Sequence, residues 1–253
     1  MKDKEFKTPQ FYVRPRNYNQ YNYVYFFMML FITIFIVCDI TAFRMTNLFG
    51  TVVPVSGLII PVVFSLGDLT ADVYGYQISR KLIWNALVCQ FIFGILITLA
   101  VNFPSPTDNI DNIHYNEAFK HIIRTNITSC MSVSSGMFTN AFLMSKFKIW
   151  MNGKRFWIRT VLSSSISEFV LCFVAYATLY VGLKSPIEIW KIILSVWYYK
   201  LIFALLAAPI VSIIASKVKK WEKSDVFDHG VNYNPFLYNY NADNKATNNI
   251  GLI

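Results

Sequence analysis

Asp39, Glu168 and Lys200 each interrupt a stretch that is otherwise long and apolar enough to cross a bilayer. A charge at bilayer depth costs roughly 2.5–3.5 kcal/mol on insertion scales, so such a group faces a bundle interior or a watery cavity. Charges of both signs in one chain of 253 residues point to a polar site between helices, as a carrier needs for its cargo. Other candidates lie near them in sequence. Asn140 carries both donor and acceptor, and Ser163, Ser164, Ser165 and Ser167 run up to Glu168. Ser164 and Glu168 share one helical face. An alternative for Glu168 and Lys200 is a purely structural ion pair between two spans.

Hydrophobic residues make up 55% of the chain and charged ones 15%, with a mean hydropathy of +0.42. Soluble domains carry about 25% charged residues, so the composition already favours a membrane protein. Six runs reach the roughly 20 residues that a spanning helix needs: 24–43, 45–67, 82–101, 125–145, 160–183 and 192–216. The expected fold is therefore an all-α integral membrane protein with six transmembrane helices. Its parts are a polar basic arm (1–22), a transporter domain (23–220) and a polar tail (221–253) rich in asparagine and tyrosine and expected to be disordered.

The net charge of +9 is laid out topologically. Lys2, Lys4, Lys7, Arg14 and Arg16 precede the first span, and Arg80 and Lys81 follow the second. Lys146, Lys148, Lys154, Arg155 and Arg159 follow the fourth, and Lys217, Lys219, Lys220 and Lys223 the sixth. The alternate loops are poor in base, so the positive-inside rule puts both termini in the cytoplasm. Nucleic acid is not an expected partner. Cys38, Cys89, Cys130 and Cys172 lie inside spans without paired motifs and read as small apolar residues. The three histidines lack ligand spacing, so neither a metal nor another cofactor is expected. The first span starts after a polar stretch of about twenty residues and is too long for a signal-peptide core, so it is expected to remain.

Gly50, Pro54, Gly57 and Pro61 crowd the second span, which predicts a Pro/Gly-interrupted helix; broken helices line cavities in carriers. In the fourth, Thr128, Ser132, Gly136 and Asn140 recur every four residues, a stripe that admits another helix closely.

From Pro61 to Trp84 the chain reads PVVFSLGDLTADVYGYQISRKLIW. Asp68, Leu69, Thr70, Asp72, Tyr74, Gly75, Ser79 and Arg80 resemble the signature of the queuosine precursor transporters, also called the vitamin uptake transporter family. The likeness extends over all six spans. Asp39 stands where the family has an asparagine, Asn140 near its customary glutamine, and Tyr199-Lys200 with Pro209 resemble the sixth-span pattern. The fifth-span aspartate is replaced by Ser167-Glu168, and an acid that often follows the glutamine by an apolar residue near Leu143.

The resemblance implies import of a 7-deazaguanine (preQ0, preQ1 or queuine) across the bacterial cytoplasmic (inner) membrane, for tRNA modification. A guanine-like edge presents a ring N–H beside an exocyclic amine, and one carboxylate can accept from both. Asp68 is the first candidate for that role and Glu168 the second, with Asp39 a further intramembrane carboxylate. Lys200 or Asn140 could donate to the carbonyl on the same edge. Phe64, Trp84, Trp197 and Tyr198 are candidates for stacking, worth about 1–3 kcal/mol per base in nucleic-acid proteins. Asp68 and Arg80 fall at the cytoplasmic edge in this topology, and Arg80 has lipid headgroups or a helix end as alternative partners. The expected partners are that small molecule and the lipid bilayer; a homo-oligomer is compatible with both. One rival is a capture subunit served by a separate ATP-driven module. The other is a membrane enzyme built on Asp68 and Asp72, but Tyr74-Gly75-Tyr76-Gln77 follows, with no second acidic pair, so an enzyme is not expected.

Overall fold

The computed structural model describes residues 21–42, 44–48, 51–104, 110–120, 122–180, 182, 185–237 and 247–248. Helix α1 (Val24–Ile40) leads into an antiparallel hairpin of β1 (Met45–Leu48) and β2 (Thr51–Pro54). There follow α2 (Val55–Tyr74), α3 (Tyr76–Asn102), the short surface helix α4 (Ile110–Phe119), α5 (Ile122–Trp150), α6 (Phe156–Tyr180) and α7 (Pro186–Glu222). Two-residue strands β3 (Val226–Phe227) and β4 (Thr247–Asn248) pair after the last helix.

Apart from α4, the helices run to and fro. At one end of the bundle, Glu222 of α7 accepts from the backbone N–H groups of Asn22 (3.1 Å) and Tyr23 (2.6 Å), where α1 begins. It also accepts from the Tyr74 hydroxyl at the end of α2 (2.8 Å). Gly75 alone joins α2 to α3, and the end of α5 meets the start of α6 there through Lys148, Asp72 and Arg159. The starts of α1, α3 and α6 and the ends of α2, α5 and α7 thus share one face. It also carries exposed Lys146, Lys154, Arg155, Lys217, Lys220 and Lys223, and is called the basic face below.

Polarity is inverted relative to a soluble bundle. Val88, Phe91, Leu96 and Leu99 of α3 and Leu205, Leu206, Ile210 and Ile213 of α7 are exposed, whereas Asp39, Asp68, Asp72, Arg159, Glu168 and Lys200 are buried. Hydrocarbon around the bundle accounts for that distribution. Four helices are long and apolar enough to cross a membrane, namely α2, α3, α6 as far as Thr178, and α7; α1 is apolar but has 17 residues. Helix α5 has 29 residues but is rich in serine, threonine and asparagine, and it packs between α3 and α6. Its Gly136 makes that fit possible: a Cβ there would meet Leu171 Cβ at 2.9 Å and the Ser167 carbonyl at 3.2 Å.

Three expectations change. The second helix starts at Val55, not Met45, because the preceding Thr-Val-Val-Pro run pairs as a strand, and Pro54 in extended conformation opens the helix. The shift carries Asp68 from the expected edge to full burial. Nor is the helix interrupted: α2 continues through Pro61, and the Ser65 hydroxyl donates back to the Pro61 carbonyl at 2.9 Å. Gly50 lies outside the described residues. Finally, part of the segment expected to be disordered is packed. Val226, Asp228 and Val231 are buried against the basic face, because that face offers unsatisfied helix-end donors.

Gly75 has φ +82°, and a Cβ there would lie 2.7 Å from Asp228 Oδ1 and 2.8 Å from Val226 Cγ1. Gly75→Ala is therefore expected to lower stability by about 1–3 kcal/mol. Thermal unfolding in detergent checks this; an unchanged midpoint would contradict the tight packing of 226–228 on the α2–α3 turn.

Candidate functional site

Four helices bring the predicted polar residues together. Asp68 on α2 is fully buried and accepts from Asn140 Nδ2 on α5 at 2.6 Å and from Ser164 Oγ on α6 at 3.2 Å. Ser167 Oγ, one turn on, donates to Asn140 Oδ1 at 3.1 Å. Apart from the Asp68 carboxyl group, every member of this network is a neutral amide or hydroxyl. Among the described residues no lysine or arginine approaches Asp68 within ion-pair distance. The arrangement suits recognition, since donors to the carboxylate can be exchanged for those of a ligand.

Glu168 follows Ser167 on α6 and is 1% exposed, yet neither carboxylate oxygen has a hydrogen-bond partner. Lys200 on α7 is close enough to act on it electrostatically, but no ion pair of 4.0 Å or less joins them. The structural ion pair considered from sequence is thus not formed. Lys200 sits among Cys172, Tyr176 and Tyr199, and the Tyr199 hydroxyl is also buried without a partner. An unpartnered buried polar group costs about 1–3 kcal/mol. Several in one place, of matching donor and acceptor type, make an interior suited to a polar ligand. Tyr199 reaches across to α2, where Gly57 leaves room for its hydroxyl.

Asp39 belongs to a separate cluster. Gln90 Nε2 on α3 donates to it at 2.6 Å and to Ser129 Oγ at 2.8 Å, and Asn126 Nδ2 on α5 approaches at 3.2 Å. Gln90 and Asn126 were missed in the sequence reading, each being a lone amide amid ordinary span residues. The faint signal was their type: an amide in hydrocarbon needs a partner.

Asp72, one turn from Asp68, has the opposite environment. Arg159 Nη1 and Lys219 Nζ each lie 2.6 Å from its carboxylate, Lys148 Nζ lies at 3.6 Å, and Lys148 also donates to the Asp72 carbonyl. Asp225 shares two of these cations, at 2.6 Å from Lys148 and 2.8 Å from Lys219. Three cations facing two carboxylates bind α2, α5, α6 and α7 to the segment after α7.

The remaining predicted residues are not at this site. Arg80 Nη1 donates to the carbonyls of Asn232 (3.3 Å) and Asn234 (2.9 Å), and Trp84 Nε1 to that of Pro235 (2.7 Å). The packed tail draws both away from Asp68. Trp197 Nε1 donates to the Ser165 carbonyl at 2.8 Å and its ring lies 5.6 Å from Phe169, so it fastens α7 to α6. Tyr198 is 63% exposed and faces outward, because the residues on either side of it turn inward along the same helix. Phe64 lies in the apolar core. In the structure the rings considered for stacking pack, bind the tail or face outward.

A family model described as "Putative vitamin uptake transporter" matches residues 54–214, more than half of the chain. The chain belongs to that family. It is a multi-pass membrane protein of a transporter class, and the matched region runs from the start of α2 to within the last turns of α7. No curated protein and no solved structure matches it.

The two aspartates make contrasting expectations. Asp72→Asn leaves buried Arg159 without its carboxylate and Lys148 and Lys219 with Asp225 alone, and is expected to cost about 3–5 kcal/mol, seen as loss of folded protein in membranes. Asp68→Asn keeps a side chain of the same shape among neutral partners and is expected to retain near-normal abundance while losing ligand-dependent thermal stabilisation. Membrane abundance and thermal shift, measured side by side, check both; equal abundance of the two variants would contradict the assignment.

Proposed function

We propose that this chain imports a 7-deazaguanine precursor of queuosine across a bacterial cytoplasmic membrane, as a six-span carrier with both termini inside. The six crossings rest on the alternation of α1, α2, α3, α5, α6 and α7, and the orientation on the exposed basic residues at one face. Helices α1 and α5 complete the count as partners of the four apolar spans. The observation that carries the cargo is the buried pair of unequal carboxylates. Asp68 is held by Asn140 and Ser164, while Glu168 is held by nothing.

A heterocycle with adjacent N–H and amine donors would exchange with the Asn140 and Ser164 donors at Asp68. Its carbonyl would take a donor from Asn140 or Lys200. Glu168 then faces the substituent arm, and its free oxygens favour a protonated amine. That favours preQ1 or queuine over the nitrile preQ0, since a hydrogen bond to a charged group is worth about 1.5–3 kcal/mol.

The test is queuosine content of tRNA in bacteria that lack precursor synthesis and their own importer, given each base at nanomolar concentration. Such cells expressing this chain are expected to regain queuosine and to lose it with Asp68→Asn at equal membrane abundance. Glu168→Gln is expected to reduce rescue by preQ1 about tenfold or more while leaving preQ0 less affected. Queuine needs a salvage enzyme in the host. No rescue by any base from a well-inserted chain would overturn the cargo, and equal uptake of all three would overturn the role of Glu168.

A further inference from the structure

Residues 228–236 lie across the basic face along the groove between α3 and α5, and their contacts repeat with the helix. Asp228 Oδ2 accepts from the Tyr76 backbone N–H at 2.9 Å and from Ser145 Oγ at 2.7 Å. It thereby caps an orphan donor at the start of α3. Beyond it, Tyr76 Oη donates to the Tyr233 carbonyl at 2.9 Å, Arg80 to the carbonyls of Asn232 and Asn234, and Trp84 to that of Pro235. Tyr76, Arg80 and Trp84 recur every four residues, so one stripe of α3, about 12 Å long, presents donors to successive strap carbonyls.

The strap is built to present those carbonyls. Asn232 Oδ1 accepts from the Asn234 N–H, and Asn234 Oδ1 from the Phe236 N–H, each at 3.0 Å. These two side-chain turns satisfy the strap's own donors locally and leave its carbonyls free for α3. The asparagine-rich composition thus has a structural use. On the α5 side, the Tyr233 ring lies 5.1 Å from Phe142 and 4.9 Å from Tyr76, with Lys146 Nζ 4.5 Å above it. Burial raises the Tyr233 phenol above its ordinary value, keeping it a protonated hydrogen-bonding group against Ser145.

Beneath the strap, Val231 joins the apolar cluster of Leu82, Met137 and Ala141. Leu82, Met137 and Ala141, with Gly67, Ser79 and Asn140, line a narrow crevice that ends at the amide holding Asp68. We propose that residues 228–236 are an intramolecular gate: seated, they close this crevice from the basic face, and lifted, they open it and free Arg80 and Trp84 to donate to passing cargo. The anchor is uneven in a way that suits opening. Asp228 and Val231 are buried, whereas Asn232, Asn234 and Phe236 beyond them are exposed. The hydrogen bonds from Tyr76, Arg80 and Trp84 to the strap are only partly buried, and such contacts open at lower free energy than a fully buried apolar core. Arg80 Nε, buried and unpartnered, is a donor the strap leaves unused.

The gate presupposes the transport reading, so its test has a readout independent of cargo. A cysteine is placed in the crevice by Ala141→Cys, and labelling by a membrane-impermeant maleimide is followed in inside-out vesicles, relative to the chain without that cysteine. Two releases are compared with the full chain: one ending after Gly230, and a full-length Arg80→Gln, Trp84→Phe pair for the case where truncation prevents folding. Losing these hydrogen bonds is expected to speed labelling about tenfold or more. Unchanged labelling in a folded release variant overturns the gate, even where base uptake is normal. Faster labelling in a release variant supports the gate, and absence of uptake of any 7-deazaguanine by the unaltered chain overturns the cargo instead.

Discussion

Asp72 is the interaction on which the basic end of the bundle depends. A carboxylate without solvent is tolerated only when opposite charge and hydrogen bonds replace its water, and Asp72 obtains both from Arg159, Lys148 and Lys219. Each cation comes from a different helix. Four helices are thereby brought to one point, and Asp225 draws the chain after α7 to the same point. Such a pair adds little net stability over an apolar core, but it is costly to break, so it specifies which ends meet. Everything beyond it follows: Gly75 can turn within one residue because Asp72 fixes the helix before it, and Asp228 can cap α3 because Asp225 has already bent the chain inward.

One helical turn deeper the same residue type is treated differently. Asp68 has only neutral partners, and Glu168 has none. Had both been required for packing, the lysine at 200 stood ready to pair with Glu168, as Lys148 pairs with Asp225. It instead lies among Tyr176, Tyr199 and Cys172. The bundle thus surrounds Asp72 with three cations and leaves the Glu168 carboxylate without a hydrogen bond. The polar interior between α2, α5, α6 and α7 is the proposed site, where ligand contacts would replace internal ones.

Much of this was legible from residue type and place. Asp68, Asn140, Ser164, Ser167, Glu168 and Lys200 are unusual residues for apolar spans, and the fold gathers them in one interior. What escaped was of two kinds. Register was misread where apolar content could not separate strand from helix: the 45–54 run is as hydrophobic as a span, but its paired strands and Pro54 move the helix start by ten residues. Partners supplied from far along the chain were also invisible. Nothing local in Arg80 or Trp84 announces that their acceptors are carbonyls some 150 residues away. Polarity suggested disorder for the tail, yet its asparagines satisfy the backbone by turns, a use that composition alone does not distinguish from solvation.

The basic residues that set the expected topology serve two purposes, and the structure separates them. Lys148, Arg159 and Lys219 are turned inward and spent on Asp72 and Asp225. Lys146, Lys154, Arg155, Lys217, Lys220 and Lys223 remain exposed around them. A count made from sequence therefore overstates the surface charge of this face without changing its sign. The exposed ring is what anionic headgroups meet, and the inner ring is what the helices meet. Because the strap lies beside both, with Lys146 over the Tyr233 ring, headgroup attraction and gate seating act on one surface. The exposed basic residues of this face are thus neighbours of the strap.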